Sequence, residues 1–75
     1  MKLGKVTGKV KMERSTEALR EETVLLVEME GNSIAALDRA GAAAGDRVLV
    51  VMSHAAGRHS MEAPSDAVVV AVVKD

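Results

Sequence analysis

Three stretches of this chain are apolar without alternation: Val24-Leu25-Leu26-Val27, Val48-Leu49-Val50-Val51 and Ala67-Val68-Val69-Val70-Ala71-Val72-Val73. Each is of strand length and rich in β-branched side chains. A strand that is apolar on both faces must be covered on both. A small barrel covers only the inner face, so the outer one needs a partner or it invites aggregation. That demand falls on a chain of only 75 residues.

The means of meeting it are few. The chain has no Phe, Trp or Tyr, so Val, Leu, Ile, Met and Ala must build the core. A chain this short buries only about 60% of its unfolded surface when it folds alone. It has no Cys, which removes disulfides and thiolate–metal staples. Oligomerisation is the remaining common remedy.

Charge excludes other classes. Ten basic and eleven acidic residues give a net charge of −1, although Lys2, Lys5, Lys9 and Lys11 make the first strand basic. This balance argues against a general nucleic-acid or membrane-surface binder. Single-strand binding by a barrel also relies on aromatic stacking platforms, and none is available. The start Met1-Lys2-Leu3-Gly4-Lys5 has no apolar signal-peptide core. The longest apolar run, Ala67 to Val73, is far below the ~20 residues of a spanning helix. A cytoplasmic protein is expected.

In chain order, Val6, Val10 and Met12 share one parity and Lys5, Lys9 and Lys11 the other, which predicts a first strand from Lys5 to Met12. Gly4 and Gly8 predict bends or a bulge within it. Glu13 to Glu22 is the most charged segment. Glu17 and Glu21, four apart, would suit a helical turn, but the plainer reading is a solvated connection. A second strand is expected over Thr23 to Met29, then a tight turn at Glu30-Gly31-Asn32-Ser33, with positive φ at Gly and Asn. A short third strand, Ile34 to Leu37, follows. The fourth is expected from about Arg47 to Met52. Ser53 to Gly57 reads as one short helical turn, His59 to Ser65 as a loop holding the only proline, Pro64, and Ala67 to Val73 as the last strand. The expected fold is all-β: a small five-stranded OB-like barrel with one short helical turn, in a single domain over residues 1–75.

Between the third and fourth strands lies Gly41-Ala42-Ala43-Ala44-Gly45, followed by Asp46-Arg47. A loop of only Gly and Ala marks a reversal where the backbone comes close to something else. It is not a phosphate loop, because its glycines are one residue too close, no Lys follows and a strand comes next. No catalytic constellation is legible either. His54 and His59 stand five apart near Glu62 and Asp66, yet surface histidines beside a turn are the plainer reading, and a zinc site would need further ligands. Ser53 and Ser60 lack a nucleophile elbow. No cofactor or metal is expected.

The start Met1-x-x-Gly4-x-Val6-x-Gly8-x-Val10, the Leu25-Leu26-Val27 strand, the Gly41-to-Val50 stretch and the close Pro64-Ser65-Asp66-Ala67-Val68-Val69-Val70 together resemble the bacterial microcompartment vertex proteins of the EutN/CcmL family. The resemblance covers nearly the whole chain in the right order. It implies a cyclic pentamer of OB-like barrels that plugs the five-fold vertices of a polyhedral shell, with hexameric shell proteins as neighbours and no enzymatic activity. It also makes Gly41, Ala42, Ala43, Ala44 and Gly45 candidates for the loop at the five-fold axis, an ordinary connecting turn being the plainer alternative. Departures from the family pattern are Ala43 in place of a second Gly, Ser53-His54-Ala55-Ala56-Gly57 after the fourth strand, Ser65 between Pro64 and Asp66, Ala71 in place of a Gly, and a short connection around Gly31. Two other functions compete. One is a barrel binding an anion or small ligand at its symmetric pore through Asp46 or Arg47. The other is an enzyme using His54 and His59 with Glu62 or Asp66.

Overall fold

The computed structural model describes residues 1–52 and 66–74. Its strands are β1 (Lys2–Lys9), β2 (Val24–Met29), β3 (Asn32–Asp38), β4 (Arg47–Met52) and β5 (Ala67–Val73). They close into a barrel in the order β1-β2-β3-β5-β4, with β4 returning to β1. Every pair is antiparallel except β3 with β5. The expected five-stranded, all-β barrel is thus the observed one, and β4 and β5 have the expected bounds. The turn expected over Ser53 to Gly57 and the loop over His59 to Ser65 lie outside the described residues.

The barrel is filled without aromatics. Val6, Leu25, Val27, Val48, Val50 and Val69 are fully buried, and Met29, Ala36 and Ala67 join them. Burying one such aliphatic side chain contributes about 1.5–3 kcal/mol. Gly4 permits this packing. A Cβ there would lie 2.5 Å from Val27 Cγ1 and 2.7 Å from Met29 Cγ, so β1 and β2 close to a distance no larger residue allows.

Three expectations need correction. β1 runs from Lys2 to Lys9, not from Lys5 to Met12, and its register slips between Val6 and Gly8. Val6 faces Val27 and Gly8 faces Leu26, leaving Thr7 as the extra residue of a bulge. The slip breaks the parity that Val6, Val10 and Met12 share in the sequence. Val10 follows the strand and donates its N–H to the Val24 carbonyl at 2.8 Å. Next, the β2–β3 hairpin turns on two residues, Glu30 (φ 53°) and Gly31 (φ 82°), with Met29 opposite Asn32. Asn32 therefore begins β3, and Glu30 takes the positive φ expected of Asn. Finally, the charged connection contains a 3₁₀ turn at Glu17–Leu19, where the plainer expectation is a solvated connection.

That turn explains part of the two-sided apolar pattern. Leu37, Val51 and Val68 lie in register on β3, β4 and β5 and form a second buried cluster. Leu19 and Val24 pack against it, so the chain covers this patch itself. The connection is held down by Glu22, which accepts hydrogen bonds from both Nη nitrogens of Arg39, Nη2 reaching Oε2 at 3.1 Å. The Asp38 N–H donates to the Thr23 carbonyl at 2.9 Å. Large apolar side chains remain exposed elsewhere: Leu3 (51%), Val72 (47%) and Leu26 (39%).

Candidate functional site

The β3–β4 loop has a defined shape although its residues lack side-chain donors and acceptors. Its Gly41 (φ 71°) and Gly45 (φ 94°) take the left-handed conformation that a Cβ disfavours. A loop of Gly and Ala has no side-chain acceptors for its own N–H groups. Two flanking aspartates supply them. Asp38 Oδ1 accepts from Ala40 N–H at 2.9 Å and Gly41 N–H at 3.0 Å, and Oδ2 from Ala42 N–H at 3.1 Å. Asp46 Oδ2 accepts from Ala43 N–H at 2.8 Å, and Asp46 N–H donates to the Ala43 carbonyl at 3.0 Å. The sequence reading missed Asp38. Its available signal is an Asp two to four residues ahead of the Ala40-Gly41-Ala42 reversal, the spacing at which Asp bonds the following backbone.

The loop is also tied to the barrel wall. Gly45 N–H donates to the Val6 carbonyl at 2.8 Å, and Val6 N–H donates to the Asp46 carbonyl at 2.9 Å. Ala42 is half-buried and packs on the barrel core, whereas Gly41, Ala43, Ala44 and Gly45 are exposed. The exposed four thus present a surface of backbone and methyl groups, with no charged side chain among the five candidates. Asp46 turns its carboxylate back into the loop, which takes it away from the role of an outward ligand. Arg47 is exposed and stands beside Lys5 in the β1–β4 register.

Next to the loop an open cleft of about 280 Å³ runs along Leu3, Lys5, Glu28, Glu30, Gly45 and Arg47. Lys2 crosses one end to Glu30 at 3.1 Å. The cleft therefore carries both signs of charge. Among the described residues, no group of three or more His, Cys, Asp or Glu is placed to hold a metal. His54, His59 and Glu62 lie outside them, and Asp66 is exposed ahead of β5. No helix among the described residues is long and apolar enough to cross a membrane.

Comparison with known proteins follows the same direction. Residues 1–74 match the sequence model of the family described as ethanolamine utilisation protein EutN/carboxysome. Among solved structures, the chain is similar to the GrpN pentameric microcompartment shell protein from Rhodospirillum rubrum, with 30% identity and a TM-score of 0.86 over 100% of this chain and 95% of that one. It is similar to the ethanolamine utilisation protein EutN from Escherichia coli, with 31% identity and a TM-score of 0.85 over 97% of this chain and 85% of that one. It is also similar to CcmL from Nostoc sp. PCC 7120, with 31% identity and a TM-score of 0.83 over 97% and 88% of the two chains. Comparison with curated proteins returns no match.

Proposed function

The chain belongs to the EutN/CcmL family, and from that premise we propose that it is a structural shell protein, five copies of which form a ring that closes the vertices of a bacterial microcompartment. The observation that carries this reading is similarity along the whole chain to a pentameric microcompartment shell protein. Residues 1–75 form one vertex domain. Its place is the microcompartment shell in the cytoplasm, and its role is geometric rather than catalytic. A sheet of six-fold units is flat, and five-fold units let it close. The partners of the ring are accordingly the hexameric shell proteins of the facets.

Gly41 to Gly45 line the five-fold axis of the ring. What supports this placement is the exposure of Gly41, Ala43, Ala44 and Gly45 and the small size of all five, since side chains have least room where five copies converge. The bonds that Gly45 N–H gives to Val6 and the Asp46 carbonyl accepts from it would hold the loop at a fixed height in every copy.

Co-expression with hexameric shell proteins tests the role. Closed polyhedral particles that contain this chain, and open or elongated ones when it is omitted, are the expected result. Equally closed particles with and without the chain would refute it.

A further inference from the structure

We infer that residues 11–22 form a flap over the outer wall of the barrel, plugged by Leu19 and latched by the acid-sensitive Glu22–Arg39 pair. When the flap opens, Leu37, Val51 and Val68 are uncovered and the barrel stays closed. The inference concerns the wall of each copy and is independent of the shell role.

A segment opens locally when its ends are pinned close together and little holds its middle. The ends of this one meet. Val10 N–H donates to the Val24 carbonyl at 2.8 Å, and the Thr23 carbonyl accepts from Asp38 N–H at 2.9 Å. Opening between these two bonds leaves β1, β2 and β3 as they are. The middle is held lightly. Among the described side chains from Lys11 to Glu21, only Leu19 is withdrawn from solvent. The backbone bonds of the 3₁₀ turn run from Leu19 N–H to Thr16, from Arg20 N–H to Glu17 and from Glu22 N–H to Leu19. All lie inside the segment, so they do not tie it to the barrel. Leu19 also fills its seat only in part, because an open groove of about 230 Å³ remains beside it, lined by Met12, Val24, Ala35 and Leu37.

What lies under the flap is separate from the barrel's interior. Val68 and Val69 are neighbours on β5 and both fully buried. Val68 packs with Leu37 and Val51 beneath Leu19, whereas Val69 packs with Val6, Val27 and Val48 in the core. Lifting Leu19 exposes the first group without unpacking the second.

The latch joins the two parts. Arg39 is its fixed half, since Arg39 N–H donates to the Val69 carbonyl at 2.9 Å. Glu22 is its movable half and accepts from both Nη nitrogens of Arg39. The neighbouring charges are engaged or face water. Asp38 keeps its carboxylate on the Ala40, Gly41 and Ala42 N–H groups. Asp66 stands exposed at the edge of the groove, and Lys11, Glu13, Arg14, Glu17, Arg20 and Glu21 are exposed on the flap. Protonating Glu22 replaces charge-assisted hydrogen bonds by neutral ones, about half as strong. The hydrogen bonds from Arg39 hold the Glu22 carboxyl below the ordinary glutamate value. The latch is therefore closed at neutral pH and is lost as the pH falls through the folded value, below about 4.5.

Val68 and Val69 also supply the test, because the chain has no cysteine. Val68→Cys and Val69→Cys variants of the full chain are labelled with a pyridyl disulfide, each rate divided by that of the same thiol in the unfolded chain. Val68→Cys should label faster, with little response to low urea, whereas Val69→Cys should speed up steeply with urea, since only barrel opening exposes a large surface. At neutral pH, adding Glu22→Gln should raise the Val68→Cys rate about fivefold to tenfold, the difference between charged and neutral hydrogen bonds. Below pH about 4.5, the Val68→Cys rates with and without Glu22→Gln should converge. Equal rates with equal urea dependence at the two positions, or a Val68→Cys rate that Glu22→Gln leaves unchanged, overturn the inference. A second measurement needs no cysteine and covers variants that do not fold. Trypsin should cut the unmodified chain after Arg20 before it cuts after Arg47 of β4, and Glu22→Gln should speed the Arg20 cut several-fold. An Arg20 cut no earlier than the Arg47 cut, or one that Glu22→Gln does not speed, overturns the inference.

Discussion

Gly4 of β1 lies so close to Val27 of β2 that a Cβ on the glycine would stand 2.5 Å from Val27 Cγ1. Val27 is fully buried, so it has nowhere to retreat. Gly4→Ala should therefore cost about 1–3 kcal/mol through overpacking. Gly8→Ala meets nothing within 4 Å and should change stability by less than about 0.5 kcal/mol. Chemical denaturation at one fixed protein concentration measures both. The double variant Gly4→Ala, Val27→Ala should recover part of the Gly4→Ala loss, and strictly additive losses would show that this contact is not the cause.

Glu30 occupies a positive φ that Asn or Gly adopts more readily. Its ion pair with Lys2 is exposed and contributes little to offset that strain. Glu30→Asn should raise the melting temperature, with a gain of up to about 1 kcal/mol. A lower melting temperature would mean that the Lys2 contact outweighs the backbone term.

Asp38 gathers the Ala40, Gly41 and Ala42 N–H groups onto one carboxylate. Asp38→Ala leaves these donors without their acceptor and should cost about 1.5–3 kcal/mol. Hydrogen exchange gives the site-specific check: the amides of these three residues should exchange faster in the variant while those of β2 stay protected. Unchanged exchange at Gly41 would show that the loop holds its shape without Asp38.

Glu22 responds to pH through Arg39. The hydrogen bond from the guanidinium, helped by its charge, holds the Glu22 carboxyl below the ordinary glutamate value. A carboxylate whose pKa is lower folded than unfolded stabilises the fold above the unfolded value, and the contribution is lost as pH falls through the folded one. Stability should fall as the pH drops below about 4.5, and Glu22→Gln should flatten that fall. Parallel melting-temperature curves for the two proteins would count against the assignment.

Much of the barrel is legible in the sequence because β4 and β5 are uninterrupted β-branched runs with clear ends. β1 is legible in kind but not in extent. Thr7 supports no pairing at the bulge, and nothing in Val6-Thr7-Gly8 announces which residue is extra. Glu30 is hidden because Glu is not a turn residue, and only the Met29–Asn32 pairing forces it into one. Leu19 is a lone apolar residue in a charged segment, without any period to show that it covers Leu37, Val51 and Val68. For that reason the apolar outer faces read from the sequence overstate what the ring must cover. The Gly41–Gly45 loop is legible as a reversal, but its latch is not, because the aspartates that hold it lie outside it.

The most direct measurement of the central claim is the subunit count of the unmodified chain in dilute solution by native mass spectrometry. The expected result is one dominant species of five chains of 7.9 kDa each, which dissociates on dilution together with loss of folded structure. A stable, cooperatively melting single chain would contradict the claim that this barrel is completed by its neighbours in a ring.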